Sequence, residues 1–134
     1  NFINDRDPAL VIDAGCGNNI FKKCIKNLQG FDARDIPEAD YKGTYQDMDK
    51  IFLPNSADAI ICFGSLGFGN TKIIEENLEL MHKWLAKDGY LFMIENGTKY
   101  LVRKITIYKS PLNNFFLFNK LYFLNIINYL VKSP

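Results

Sequence analysis

The sequence is poor in cysteine and histidine, and it has no acidic residue after Glu95. Its three cysteines, Cys16, Cys24 and Cys62, are too few for a disulfide framework, and none forms a C-x-x-C pair. With His82 as the single histidine, little is left for a zinc site, so no metal is expected. This reads as a reducing, cytoplasmic protein, with no signal-peptide pattern at Asn1. No long hydrophobic run is present. The most apolar stretch, residues 115–131, is interrupted by Asn119, Lys120, Asn125 and Asn128 and falls short of the ~20 residues of a membrane span. There is no internal repeat and no low-complexity linker.

What is present is an apolar fraction of 48% with 14% aromatics, which excludes a disordered chain. A length of 134 residues fits one domain over 1–134. The net charge of +1 conceals an asymmetry. Residues 1–97 carry all 15 acids against ten Lys and Arg, whereas residues 98–134 carry six basic side chains and no acid. Such a split often marks a binding segment. Here the positive charges do not cluster, so there is no strong nucleic-acid signal.

Strand-like and helix-like patterns alternate. Residues 9–13 are a short apolar run ended by Ala14-Gly15-Cys16-Gly17. Asn18 can cap a short helix over about 19–27. Residues 28–32 read as a second strand, 43–46 as a third and 57–63 as a fourth, the last apolar on both faces. Ile74, Leu78, Met81 and Leu85 recur at helical spacing, so Thr71 to Lys87 is the clearest helix, with Gly89 as its stop. Residues 90–95 form a fifth strand and 100–108 a sixth. Residues 115–131 fit a closing helix. The fold class is α/β, a three-layer sandwich with a mostly parallel sheet of five to six strands, helices on both faces and an abbreviated C-terminal part.

The informative element is Asp13-Ala14-Gly15-Cys16-Gly17-Asn18-Asn19, between a strand and a helix. Glycines there let the backbone approach a ligand at the carboxyl ends of the strands. The dinucleotide fingerprint G-x-G-x-x-G fits poorly. Ile20 takes the third glycine position, and Asp13 would oppose a pyrophosphate. That counts against a nicotinamide dehydrogenase and favours a cationic ligand. Asp32, ending the next strand, can accept hydrogen bonds from ribose hydroxyls. Asp47 can receive an exocyclic amine.

These residues carry a resemblance. Asp13-x-Gly15-x-Gly17, Asp32, Asp47-Met48, the turn and strand Pro54 to Ile61 and Lys87-Asp88-Gly89-Tyr90-Leu91-Phe92 resemble the class I S-adenosylmethionine-dependent methyltransferases over residues 9–95. The resemblance implies a Rossmann-like domain that binds S-adenosylmethionine. Gly15, Cys16 and Gly17 would line the methionine part, with Asp13 orienting its ammonium and Asp32 holding the ribose. Asp47 and the backbone of Met48 would recognise adenine, and Gly64 would lie near the carboxyl end of the methionine. Asn19 departs from the glycine that many members carry.

The segments facing the methyl acceptor would be 65–69 and 95–97. Residues 64–67 lack the Asn/Asp-Pro-Pro-aromatic motif of amino-methylating DNA enzymes, and no Cys follows a Pro as in cytosine-C5 enzymes. A small-molecule acceptor is therefore expected, with no catalytic residue identified. The alternative is a non-catalytic or truncated binding protein on the same fold. Cys62, Trp84 and Cys16 are read as packing or loop residues and His82 as solvated. An exposed sheet edge or apolar helix in 98–134 would favour self-association.

Overall fold

Short runs of β-branched and aliphatic residues flanked by turn formers build the sheet. In the computed structural model the described residues are 2–66, 71–97, 102–109 and 114–118. Five parallel strands come first: β1 (Val11–Ala14), β2 (Leu28–Asp32), β3 (Tyr41–Lys42), β4 (Ala57–Phe63) and β5 (Leu85–Gly97). Two antiparallel strands extend the far edge, β6 (Val102–Lys109) and β7 (Asn114–Phe118). The order is β3-β2-β1-β4-β5-β6-β7. The reversal of winding at β1 places the carboxyl ends of β1, β2 and β4 around one crevice.

Side chains alternate across this sheet with a period of two. Ile12, Ala14, Phe31, Ile60, Cys62, Leu91 and Met93 face one side. There they meet α1 (Tyr45–Met48) and α2 (Thr71–Trp84) through Tyr45, Met48, Met81 and Trp84. Val11, Leu28, Ala59, Ile61 and Phe92 face the other side. Among the described residues, that side is covered by Ile3, Phe21 and Ile25, from or beside two 3-10 turns, Asn4–Arg6 and Ile20–Lys23. The two layers flanking the sheet are therefore unequal.

The structure reproduces β2 and β4 with their expected bounds and shifts several others. The helix expected over 19–27 is a single 3-10 turn. Gly15, Gly17, Asn19 and Asn27 all have positive φ, and this segment must turn back onto β2. Cys16 N–H donates to the Phe31 carbonyl (2.9 Å), which pins the turn. The third strand is Tyr41–Lys42 rather than 43–46, because Thr44 caps α1 and the chain turns helical at Tyr45. Helix α2 ends at Trp84, not Lys87. The carbonyls of Lys83 and Trp84 accept from Asn55 N–H and Ser56 N–H (both 2.9 Å), and Leu85 already pairs with Ala57. Gly89 thus lies inside β5, at the register shift between Leu85 and Tyr90. Residues 115–118, read as the start of a helix, lie in β7. The rest of that expected helix, 119–131, lies outside the described residues, as does the self-association it suggested. The acceptor-facing positions 67–69 also lie outside them.

Candidate functional site

The β1 glycine turn sets the geometry. Gly15 has φ +69°, and a Cβ there would lie 2.1 Å from Ser65 Cβ. Only glycine lets the loops after β1 and β4 touch in this way. Ser65 Oγ donates to the Ala14 carbonyl, locking the two loops together. Tyr45 Oη lies 3.1 Å from Ser65 Oγ and 3.2 Å from Cys62 Sγ. Gly30 is glycine for a related reason. A Cβ there would meet Cys16 Cβ at 2.8 Å and the Asn19 amide at 2.9 Å, so the turn seats directly on β2.

These contacts border a cavity of about 840 Å³ at the carboxyl ends of β1, β2 and β4. Gly15, Asp32, Arg34, Tyr45, Gly64 and Ser65 are among its walls. Gln46 from α1 and Ile73, Glu76 and Asn77 from α2 close another side. Its size falls in the ~300–1,000 Å³ range of small-molecule sites. A smaller cavity of about 340 Å³ lies at the amino ends of β1, β4 and β5, bordered by Arg6, Asp58 and Lys87. Ligands of open α/β sheets bind at the other end.

Of the residues expected from sequence, Gly15, Asp32 and Gly64 line the large cavity. Asp32 accepts from Gly17 N–H (3.0 Å), from Arg34 N–H (2.9 Å) and from the Arg34 guanidinium. The hydrogen-bonded Arg34 side chain holds the Asp32 carboxyl below its ordinary pKa, although burial opposes this. Asp13 is 3% exposed and lies off the cavity lining. Its carboxylate makes no hydrogen bond among the described residues. Burial, and then the charge of Asp32, push its pKa up to about 7.

Cys16 is buried, and burial followed by the charges of Asp13 and Asp32 pushes its thiol up to about 12, so it is no nucleophile at neutral pH. Cys62 is fully buried, and burial raises its thiol pKa as well. Asp47 stands at the third position of α1. Its Oδ2 accepts from Thr44 N–H (2.9 Å) and Thr44 Oγ1–H (2.8 Å), and Asp47 N–H donates back to Thr44 Oγ1 (3.3 Å), which completes a capping box. Met48 is 1% exposed and packs in the core beneath α1. Neither Asp47 nor Met48 lines the cavity, whereas Thr44, Tyr45 and Gln46 just before them do.

Sequence reading missed Arg34, Tyr45 and Asn77, and it named Ser65 only as part of an acceptor-facing segment. Asn77 carried a signal. It falls three residues after Ile74 and four before Met81, a polar residue on the apolar face of α2. It is 5% exposed, donates to the Leu66 carbonyl (2.8 Å) and accepts from Gln46 Nε2 (3.2 Å), tying α1, α2 and the β4 loop together. His82 is exposed, while Trp84 is fully buried and donates its Nε1–H to Asp49 (3.1 Å).

No family model and no curated protein matches the sequence. Solved structures do match the fold. The chain is similar to the Burkholderia thailandensis 1,6-didemethyltoxoflavin-N1-methyltransferase, crystallised with 1,6-didemethyltoxoflavin and S-adenosylhomocysteine (14% identity, TM-score 0.60, 96% of this chain and 63% of that one). It is also similar to an S-adenosylmethionine-dependent methyltransferase from Archaeoglobus fulgidus (16% identity, TM-score 0.58, 90% of this chain and 59% of that one). A third is an amino pentose methyltransferase from Micromonospora echinaspora (16% identity, TM-score 0.50, 85% of this chain and 68% of that one). The chain thus spans less than two thirds of the first two structures it matches. With its parallel sheet, glycine turn and carboxyl-end cavity, the chain has the fold of the class I S-adenosylmethionine-dependent methyltransferases.

Proposed function

We propose that this single domain binds S-adenosylmethionine and transfers its methyl group to a small-molecule acceptor. The observation that carries the reading is Asp32, ending β2 on the wall of the 840 Å³ cavity that Gly15 of the β1 turn also lines. The donor set fits the cofactor's chemistry. Asp13, buried and without a hydrogen bond among the described residues, suits an ammonium group reached through water. The Asp32 carboxylate suits a ribose diol.

Gly15, Cys16 and Gly17 would present backbone to the methionine part, with Gly64 opposite. The segment Thr44–Gln46 would face the adenine. Asp47 and Met48 hold that segment, one by capping α1 and the other by anchoring it in the core. When bound, the cofactor supplies an already activated methyl on a sulfonium. The chain's task is then alignment of donor and acceptor in a dry crevice, which needs no nucleophile of its own. Phe31, Tyr45 and Phe63 give the cavity apolar and aromatic walls, and Glu76 is the acid on its α2 side. This suits a compact acceptor with an aromatic or amine-bearing part.

Calorimetric titration with S-adenosylmethionine and S-adenosylhomocysteine tests the reading. Asp32→Ala should weaken both by about 10–100-fold, the worth of a charge-assisted hydrogen-bond pair. Unchanged affinity would remove Asp32 from the site. Tight cofactor binding without turnover on a broad panel of amines, hydroxyls and heteroaromatics would favour the non-catalytic reading.

A further inference from the structure

A carboxylate offers about four lone-pair positions, and all four of those on Asp32 are filled by this chain itself. Oδ1 accepts from Arg34 N–H (2.9 Å) and Arg34 Nε–H (3.0 Å). Oδ2 accepts from Gly17 N–H (3.0 Å) and Arg34 Nη2–H (3.1 Å). Two of these donors are backbone, held by the glycine turn and by the bend after β2. The other two belong to one guanidinium fork, which places one hydrogen bond on each oxygen. The two partners differ sharply in freedom. The Asp32 side chain is 7% exposed, whereas that of Arg34 is 73% exposed. Arg34 also lines the cavity mouth and passes over Gly17, where a Cβ would lie 3.7 Å from Nη2.

A vicinal diol has the donor pattern of that fork, two O–H groups side by side. Resting on the cofactor reading, we propose that Arg34 is a specificity latch: its guanidinium fills the diol position on Asp32, and a ligand enters the site only by exchanging two ribose O–H donors for Arg34 Nε–H and Nη2–H. The backbone donors from Gly17 and Arg34 stay in place during the exchange and keep the carboxylate aimed. A ligand with no ribose hydroxyls cannot make the exchange and leaves the latch shut. Arg34 is therefore a positioning residue acting through Asp32. The latch sets a threshold that ligands lacking the diol do not pass, and it leaves a displaced guanidinium in solvent at the cavity mouth.

The test uses the full chain with adenosine, a neutral diol ligand, and 2′,3′-dideoxyadenosine, which lacks both hydroxyls. Arg34→Ala should bind adenosine about 3–5-fold more tightly, in line with the modest strength of a half-exposed ion pair. Arg34→Lys, which keeps the charge and loses the fork, should fall between the two. 2′,3′-Dideoxyadenosine should bind the wild type far more weakly than adenosine does, and it should gain more than adenosine in Arg34→Ala, because no guanidinium then bars its entry; an unchanged preference for the diol in Arg34→Ala overturns the latch. Raising salt from about 50 to about 500 mM should tighten adenosine binding to the wild type, by screening the latch, and leave Arg34→Ala flat. Adenosine binding that is equal or weaker in Arg34→Ala, with the wild type still binding adenosine and S-adenosylhomocysteine, overturns the latch alone. Failure of the wild type to bind either ligand overturns the cofactor reading, and the latch with it.

Discussion

Asp13 and Asp32 end neighbouring strands, yet their surroundings push them in opposite directions. Asp32 is held ionised by Arg34. Asp13 is raised to about 7 by burial and by the nearby Asp32 charge. The sign follows from linkage. The folded state binds a proton on Asp13 that the unfolded chain releases near pH 4, so stability attributable to Asp13 falls as pH rises from about 4 to about 7 and is level above that. Asp13→Asn should remove this slope. The difference between wild-type and variant urea midpoints across pH 4–8 measures it, with up to a few kcal/mol at stake. A flat difference would show that Asp13 titrates normally.

Gly15 is a second test at this scale. Alanine there meets Ser65 at 2.1 Å and must adopt φ +69°. Gly15→Ala should cost at least about 1–3 kcal/mol, seen as a lowered thermal midpoint, and should also reduce cofactor affinity. The role of Gly15 was legible from the glycine spacing. Its reason, contact with a serine fifty residues away, was not.

At the scale of elements, α1 shows why a strong local motif can be misread. Thr44 and Tyr45 favour strands, and Gly43-Thr44-Tyr45-Gln46 follows a polar stretch, so the segment reads as β. Thr44-x-x-Asp47 is also a capping box, and one turn of helix wins because Tyr45 and Met48 then face the core. Thr44→Ala should cost about 0.5–2 kcal/mol, and Asp47→Ala a similar amount. Chemical denaturation gives the stability, and titration with S-adenosylhomocysteine separates the two roles of Asp47. If Asp47 acts as a cap, affinity falls only as far as the Thr44→Ala loss. A much larger loss for Asp47→Ala would restore it as a direct adenine contact. The end of α2 gives the complementary lesson. Its helical periodicity runs on to Leu85, and the helix stops at Trp84 because Asn55 and Ser56 take its last carbonyls while β4 captures Leu85.

Across the whole molecule, two apolar layers grip one sheet, and the thicker layer centres on aromatic rings. Trp84 is fully buried and meets Phe31, Tyr45 and Phe52 at centroid distances of 6.3, 6.3 and 5.5 Å. Tyr45 is also a cavity wall, so the packing that holds the sheet to α1 and α2 also shapes the site. Trp84→Ala should cost about 3–5 kcal/mol, and its effect on ligand affinity should follow from loosening of α1. A well-folded Trp84→Ala protein with wild-type affinity would show that the site does not depend on this layer. The charge asymmetry belongs to this scale too. Asp13, Asp32 and Glu76 at or beside the cavity account for part of the acidic front, whereas the side chains of the basic tail lie outside the described residues.

The sequence by itself determined what local sterics and periodicity control. The apolar runs of β1 and β4 marked inner strands, the glycines at 15 and 17 marked a turn after β1, and Asp32 was read at the end of β2. Only the tertiary structure decided which polar groups meet. It seated Gly17 N–H on Asp32, withdrew Asp13 into the sheet, and brought Tyr45, Cys62 and Ser65 together. The reason is physical. A strand or turn is specified by neighbours a few residues away, whereas a hydrogen-bond partner is chosen by the order in which the strands lie side by side.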